Sequence, residues 1–151
     1  MKQPNSIALI IPVYKDIEAL KIIIEAISKQ TILPNEIVIA EDAQNIEMKE
    51  FVDTINIPNV KIYHTFHEDK GWRRNKSTNN ALRVVQSEYL IFNDGDCIPK
   101  SNFIEAHRMI AEDNTVFCGR RSNTGPGYST KIRTGELDFQ KYDKEYICKY
   151  F

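Results

Sequence analysis

Two aspartates that flank a glycine directly follow an apolar run, and they offer the clearest chemistry in this sequence. Residues 89–93, YLIFN, lead into Asp94, Gly95 and Asp96. A lone segment of this kind is most often a solvated turn, because Asp and Gly are favoured in turns. An EF-hand loop that begins at Asp94 is excluded, because Pro99 stands at position six, where that loop needs glycine. The third interpretation is a two-carboxylate site for Mg²⁺ or Mn²⁺, with substrate phosphates completing the coordination.

Any phosphate group bound here would need a metal ion and basic side chains, because the glycine-rich phosphate motifs are missing. The sequence has no GxxxxGK[ST], and Gly125-Pro126-Gly127 lacks the third glycine of a dinucleotide fingerprint. Gly95 would let a diphosphate approach the backbone between the two aspartates. Residues 70–76, KGWRRNK, supply four cations in seven residues. The alternative role of that basic stretch is a solvated helix entrance.

Strand-like and helix-like segments alternate along the chain, which predicts an α/β domain with a mostly parallel central sheet flanked by helices. The predicted strands cover residues 7–11, 36–40, 60–65, 89–93 and 115–119. The helices between them are predicted from apolar stripes: Leu20, Ile23, Ile24 and Ile27; Phe51, Val52 and Ile55; Thr78, Ala81, Leu82 and Val85; Phe103, Ala106, His107 and Ile110. Asp16 is the expected N-cap of the first helix, and Pro99 is expected in the first turn of the last. Residues 120–130 are predicted to be a loop. Ligands of such sheets bind beyond the carboxyl ends of the strands.

Composition and charge narrow the class of protein further. The 151 residues suit one domain, and 20 basic against 21 acidic side chains leave a net charge of −1, which predicts no nucleic-acid partner. Cys97, Cys118 and Cys148 form no CxxC pair, which disfavours a disulfide framework and predicts a reducing cytoplasm. The apolar run 7–11 is too short to span a membrane, so we expect no membrane span.

Four segments carry a resemblance to the family 2 glycosyltransferases, which have the GT-A fold. IALIIPVYKD resembles the first strand and nucleotide loop of that family, and EIVIAEDAQ resembles its second strand with a terminal acidic pair. SEYLIFNDGDCIPKSNFIEAH resembles the strand, DxD motif and helix that follow. EDKGWRRNKSTNNAL is similar to a subtype found in polysaccharide and chondroitin-type polymerases, where Gly-aromatic-Arg precedes Ala-Arg-Asn. Ser77-Thr78 replaces the Ala-Arg, and Lys15 stands where asparagine is common.

The resemblance implies a metal-dependent, inverting transfer of a sugar from a nucleotide sugar, a UDP-sugar, to a saccharide or polysaccharide acceptor. The donor-binding residues that it implies are Pro12, Val13, Tyr14, Asp42, Arg73, Asn79, Asp94, Gly95 and Asp96. Among them, Asp42 would accept a hydrogen bond from the uracil ring, and Arg73 would face the diphosphate. Asp94 would face the ribose or the donor sugar, and Asp96 would coordinate Mn²⁺ or Mg²⁺. Asp94 is also a candidate metal ligand, together with Asp96.

Structural alternatives remain for several of these side chains. Asp42 could cap a turn, and Arg73 could pair with Glu68 or Asp69. His107 falls on an apolar helix stripe, so we expect a packed and hydrogen-bonded core histidine rather than a ligand.

The resemblance also divides the chain into two regions. Residues 1–120 correspond to the donor-binding core, and residues 121–151 to a loop and the start of an incomplete acceptor-side region. The general base is expected beyond residue 151, because the tail carboxylates lack the family's context: Glu136, Asp138, Asp143 and Glu145. A partner chain or an oligomer could supply the acceptor half. The alternative is a truncated, non-catalytic nucleotide-sugar-binding module. The expected location is the cytoplasm, with peripheral attachment to the inner face of the membrane as an option.

Overall fold

Four parallel strands alternate with helices along the first three quarters of the chain. The computed structural model describes residues 3–139. The strands are β1 (Ile7–Val13), β2 (Glu36–Glu41), β3 (Lys61–Thr65) and β4 (Tyr89–Phe92). The helices are α1 (Ile17–Ser28), α2 (Ile46–Thr54), α3 (Arg74–Leu82), α4 (Phe103–Ile110) and α5 (Pro126–Arg133). The chain divides into two units, Met1–Asn114 and Thr115–Phe151, so the sheet and α1 to α4 belong to the first and α5 to the second.

The sheet has the strand order β3-β2-β1-β4, and all of its pairings are parallel. The predicted α/β fold with a parallel sheet is therefore confirmed. Ile10 of β1 lies opposite Val38 on one side and Phe92 on the other. All seven residues of β1 are buried, which explains why its sequence is continuously apolar. The strand runs past Ile11 to Val13, because Pro12 is accommodated near its end opposite Ala40.

Side chains alternate between the two faces of the sheet and fill two apolar clusters. On one face, Leu9 and Ile11 pack with residues of α1, α2 and α4, including Ile23, Val52 and Ile104. On the other face, the buried residues are Ile10, Val38, Ala40 and, from α3, Ala81. Each large aliphatic side chain buried in this way contributes about 1.5–3 kcal/mol relative to exposure. The sheet is thus covered on both sides, and its carboxyl edge is fixed in place.

Polar side chains fix the ends of the helices in the larger layer. The Asp16 carboxylate accepts a hydrogen bond from the amide of Ala19 at 3.0 Å, so the predicted N-cap of α1 is confirmed. Buried Gln30 connects the end of α1 with the start of α4. Its amide nitrogen donates to the carbonyl of Lys100 at 2.6 Å, and its amide oxygen accepts from the amide of Ile104 at 3.1 Å.

Several predictions about the residues of α3 and α4 are wrong. Pro99 is buried but lies before α4, which begins at Phe103. Ile110, placed on the inner stripe, is 46% exposed, and buried Ile104 takes the inward position instead. In the preceding helix α3, Leu82 of the predicted stripe is also exposed.

The second unit departs furthest from the sequence-based expectation. Residues 115–119 form no strand, and Val116 is 88% exposed, because no neighbouring strand pairs with this short apolar segment. Half of the predicted loop 120–130 is helical instead. Pro126 begins α5 with a fixed φ that suits the first helical turn, and Ile132 is its buried residue. The tail carboxylates Asp143 and Glu145 lie outside the described residues, as does Cys148.

Candidate functional site

The carboxyl ends of three neighbouring strands bring the candidate site residues to one edge of the sheet. The amide of Asp42, directly after β2, donates to the carbonyl of Val13 at the end of β1 at 2.8 Å. On the other side of β1, the amide of Asn93 donates to the carbonyl of Ile10 at 3.0 Å. The segments that follow β2 and β4 therefore both start beside β1. This is the edge at which ligands of such sheets bind.

The turn that carries the two aspartates is held from beneath by Asn93. This side chain is buried, and its amide nitrogen donates to the carbonyls of Asp94 at 3.0 Å and Cys97 at 2.7 Å. The amide of Cys97 also donates to the carbonyl of Asp94 at 3.0 Å, which closes the turn. The backbone between the aspartates is thus fixed by hydrogen bonds, so their carboxylates project from a preorganised turn.

Gly95 is required by a close contact inside the protein. A Cβ added at this position would lie 2.4 Å from the carbonyl oxygen of Pro12 and 3.1 Å from a methyl group of Val13. Side chains larger than hydrogen are therefore excluded unless the backbone shifts. The sequence assigned this glycine to the approach of a diphosphate, whereas the structure gives it a second reason, the packing of the turn against β1.

Asp94, Asp96 and Cys97 form the cluster at which a metal ion could bind. One ligand atom from each residue lies within 4.8 Å of the others. Asp96 is exposed, and its carboxylate accepts a hydrogen bond from the Cys97 thiol at 3.4 Å. Carboxylate oxygens are the ligands that Mg²⁺ and Mn²⁺ prefer, and ions of this type keep several positions for water or phosphate oxygens. Two carboxylates on one tight turn fit such an ion.

Asp42 is buried at the same edge, on the β2 side of β1. Its Oδ2 accepts a hydrogen bond from the backbone amide of Arg73 at 2.7 Å. Its Oδ1 lies 3.2 Å from Nε2 of buried His67, but the two atoms are not aligned as a hydrogen bond. The carboxylate therefore fixes the segment before α3, while its Oδ1 remains without a hydrogen-bond donor among the described residues. Sequence reasoning gave no role to His67, whose partner is distant in sequence.

The two consecutive arginines before and at the start of α3 have different partners. The Arg73 guanidinium donates to the backbone carbonyl of Glu68, and its Nη2 lies 3.4 Å from Nδ1 of His67. Arg74 forms an ion pair with Asp94. The cation beside the aspartate turn is thus Arg74, one residue after the arginine singled out in the sequence. The signal that could have found it was the basic stretch 70–76 taken as a whole.

Tyr14 and Lys15 form a second connection, between the end of β1 and the segment before α3. The Lys15 ammonium lies 2.7 Å from the Asp69 carboxylate and 4.8 Å from the centre of the Tyr14 ring, and the Tyr14 hydroxyl donates to Asp69 at 3.4 Å. The contact with Asp69 and the neighbouring Tyr14 raise the pKa of Lys15 above its ordinary value, and the Lys15 ammonium lowers the pKa of Asp69. Lys15 has a φ of 56°, a conformation that asparagine tolerates better than lysine.

Glu41 and His64 form a buried pair next to Asp42. One Glu41 oxygen accepts from Nε2 of His64 at 2.9 Å, and the other accepts from the amide of Asn45 at 2.7 Å. The Asn45 side chain in turn caps α2 by accepting from the amide of Met48 at 3.0 Å. Glu41 therefore fixes the turn after β2, and Asp42 is the member of the acidic pair that faces the segment before α3.

The remaining candidates lie away from this set of contacts. Asn79 is exposed within α3, and no hydrogen bond in residues 3–139 joins it to the site's carboxylates. His107 packs edge-on against Phe103, with ring centroids 4.8 Å apart, and its Nδ1 lies 3.3 Å from the Tyr89 hydroxyl. Burial lowers the pKa of His107. The prediction of a packed, hydrogen-bonded histidine is confirmed.

Comparisons with known proteins agree with this arrangement of fold and site. The family model for glycosyl transferase family 2 matches residues 8–149. The glycosyltransferase GlyG of Streptococcus pneumoniae serotype 4 is 28% identical over 119 residues, which is 78% of this chain and 39% of GlyG. The chain therefore spans well under half of the length of this curated relative.

Solved structures with a similar fold include TarS of S. aureus and a mannosyltransferase. TarS 1–349 of S. aureus in complex with UDP-GlcNAc matches with a TM-score of 0.55 and 21% identity, over 67% of this chain and 29% of that one. The mannosyltransferase PcManGT of Pyrobaculum calidifontis, in complex with GDP-Man and Mn²⁺, matches with a TM-score of 0.52 and 20% identity, over 66% and 29%. Within residues 3–139, no helix is both long and apolar enough to cross a membrane. The chain belongs to glycosyl transferase family 2, as the sequence motifs predicted, and it has the GT-A fold.

Proposed function

We propose that this chain carries the donor-binding half of a metal-dependent, inverting glycosyltransferase that uses a UDP-sugar and a saccharide or polysaccharide acceptor. The observation that carries the proposal is the convergence, at one sheet edge, of the Asp94-Gly95-Asp96 turn with buried Asp42 across β1. The family membership supports the reaction class. The ligands of the structural neighbours, UDP-GlcNAc in TarS and GDP-Man with Mn²⁺ in PcManGT, support a nucleotide sugar as the donor class.

Each part of the edge has a role in this proposal. Pro12 and Val13 are buried at the end of β1 and would support exposed Tyr14, against which a base would lie. Asp42 is fixed by its contact with the Arg73 amide, and it would accept a hydrogen bond from a ring N–H of the base. Uracil offers such a donor at N3, whereas cytosine and adenine have no ring N–H on the equivalent edge, so this contact favours UDP over CDP and ADP.

The leaving nucleoside diphosphate is the chemical difficulty of the reaction, because negative charge grows on it as the sugar departs. A divalent ion, Mn²⁺ or Mg²⁺, would be held by Asp94 and Asp96 and would stabilise that charge. The chain's own contribution is preorganisation. Asn93 fixes the turn, Gly95 packs it against β1, and Arg74 of the basic stretch places a cation beside it. A polar site arranged before the donor arrives needs little rearrangement in the transition state.

The acceptor half of the site is proposed to lie elsewhere. A general base must deprotonate the acceptor hydroxyl, and none of the carboxylates at the described edge is left for that task once the metal and base are bound. We propose that residues beyond 151, a partner chain or an oligomer supply it.

The cysteine pattern supports the cytoplasm as the compartment.

Two assays test the proposal. The first measures release of UDP from a panel of UDP-sugars, with saccharide acceptors and Mn²⁺. The second compares the affinities for UDP and CDP in the presence of Mn²⁺, because cytosine lacks the ring N–H that Asp42 would bind. We expect UDP to bind more tightly than CDP, and Asp42→Asn to reduce that preference, whereas Asp53→Asn on the exposed face of α2 leaves it unchanged. UDP binding without release would support the alternative of a non-catalytic module. Absence of Mn²⁺-dependent nucleotide binding would contradict both.

A further inference from the structure

The ion pair between Arg74 and Asp94 places a cation where the proposed metal site needs a free carboxylate. Nη2 of Arg74 donates to Oδ1 of Asp94, and the side chains are 48% and 42% exposed. Half-exposed ion pairs of this kind are weak, because water and salt screen them and side-chain entropy opposes them. The pair can therefore open without disturbing the core beneath it.

Arg74 lies at the start of α3, where its positive charge requires a neighbouring anion. Arg74 is the first residue of the helix, its N-cap Arg73 makes no side-chain capping bond, and the first turn contains no acidic residue. A helix N-terminus has a partial positive charge, so a cation there is disfavoured unless an anion lies beside it. In the described structure that anion is Asp94, from a different segment of the chain.

The charge balance changes when donor and metal bind. A divalent cation held by Asp94 and Asp96 would compensate the two carboxylates by itself. Arg74 would then face a like charge, and electrostatic repulsion at such short range is substantial near a protein surface. The diphosphate of a nucleotide sugar brings new negative charge to the same place. Arg74 has a long side chain whose guanidinium binds phosphate oxygens in a bidentate geometry.

We propose that Arg74 is an exchangeable counter-ion of the donor site: it pairs with Asp94 when the site lacks donor, and with the donor diphosphate when nucleotide and divalent ion bind together. This inference rests on the proposed function. If Arg74 exchanges in this way, the divalent cation and the nucleotide each strengthen the binding of the other. The cation displaces Arg74 from Asp94, and the nucleotide diphosphate then binds the displaced guanidinium. Arg74 is thus a donor-contacting residue that competes with the metal ion in the free protein.

Two affinities of one variant test the exchange, because they are expected to change in opposite directions. In Arg74→Gln, the affinity for Mn²⁺ without nucleotide, followed by the EPR signal of free Mn²⁺, is expected to rise by about three- to tenfold, since the competing cation is gone. The affinity for UDP at saturating Mn²⁺, followed by calorimetry, is expected to fall by about tenfold, since a charge-assisted phosphate contact is lost. Arg74→Lys keeps the charge, so it should retain wild-type Mn²⁺ affinity and recover part of the UDP affinity.

Arg83→Gln is the matched control, because Arg83 lies at the other end of α3 and bonds to Asn80. It should leave both affinities unchanged. If Arg74→Gln weakens both affinities, Arg74 only orients Asp94 and the exchange is wrong. If neither affinity changes, the ion pair is incidental and the exchange is equally wrong. If the wild-type protein binds no UDP with Mn²⁺, the proposed function itself fails and the exchange fails with it. Unchanged melting temperatures for all three variants confirm that folding is not the cause.

Discussion

Replacement of Gly95 by alanine tests how the site depends on the strand beneath it. The added Cβ would lie 2.4 Å from the carbonyl oxygen of Pro12, whereas real Cβ atoms essentially never approach within 3.0 Å. Either the turn or the end of β1 must therefore move by about 0.6 Å or more. The end of β1 cannot yield easily, because Pro12 and Val13 are paired with Ala40 and Glu41 of β2.

The expected cost follows from that overlap. Overpacking of this kind typically destabilises a protein by about 1–3 kcal/mol. For a protein of this size, that corresponds to a melting temperature lower by about 2–12 °C. A shift of this size also moves the aspartates out of the geometry that a binding site needs, so the Mn²⁺-dependent affinity for UDP should fall by about tenfold or more.

Thermal unfolding and calorimetry on Gly95→Ala measure both effects. Gly119→Ala is the matched control, because a Cβ at Gly119 meets nothing within 4 Å, and its effect should stay within about 0.5 kcal/mol. If Gly95→Ala has the melting temperature and the UDP affinity of the wild type, the packing of the aspartate turn against β1 is not the constraint described here.

Three further predictions follow from the contacts of individual residues. Gln30→Ala should lower the free energy of unfolding in urea by about 1–3 kcal/mol, because the buried amide of Ile104 loses its acceptor and the carbonyl of Lys100 loses one of its two donors. Gln86→Ala, on an exposed side chain, should have little effect. The Asp69 carboxyl should titrate below its ordinary pKa when followed by NMR, and Lys15→Ala should return that pKa toward the ordinary value. The contribution of this ion pair to the free energy of unfolding is present above about pH 4 and is lost as the pH falls through the lowered pKa. Because burial lowers the pKa of His107, the unfolded chain takes up that proton first, so the free energy of unfolding should decline as the pH falls below about 6.5, and His107→Gln should remove that slope.

The sequence predicted the first unit well because its signals are local and strong. Continuous apolar runs such as 7–11 and 37–40 are typical of strands covered on both faces, and both runs lie in the buried centre of the sheet. Asp16 was identified as a helix cap because the two residues joined by its hydrogen bond, Asp16 and Ala19, are only three positions apart in the sequence. The edge at which the aspartates and Asp42 meet also followed directly, since parallel strands place their carboxyl ends together.

The failures concern features that the local sequence does not determine. The ion pair of Arg74 with Asp94 was not predicted, because Arg73 and Arg74 are adjacent and identical in type, and only the start of α3 decides which of them reaches Asp94. The proximity of His67 to Asp42 was missed, because it depends on two segments separated by a whole strand and helix. Residues 115–119 have the composition of a strand but no partner, and α5 begins within a Gly-Pro-Gly sequence that normally indicates a turn.

The central claim is that the Asp94-Gly95-Asp96 turn holds a divalent ion for a nucleotide at this edge of the sheet. Calorimetric titration of UDP with and without Mn²⁺ tests it most directly, with wild type, Asp96→Asn and Asp53→Asn compared side by side. We predict that Mn²⁺ strengthens UDP binding in the wild type and in Asp53→Asn, and that Asp96→Asn abolishes this increment. An increment that persists unchanged in Asp96→Asn would contradict the account.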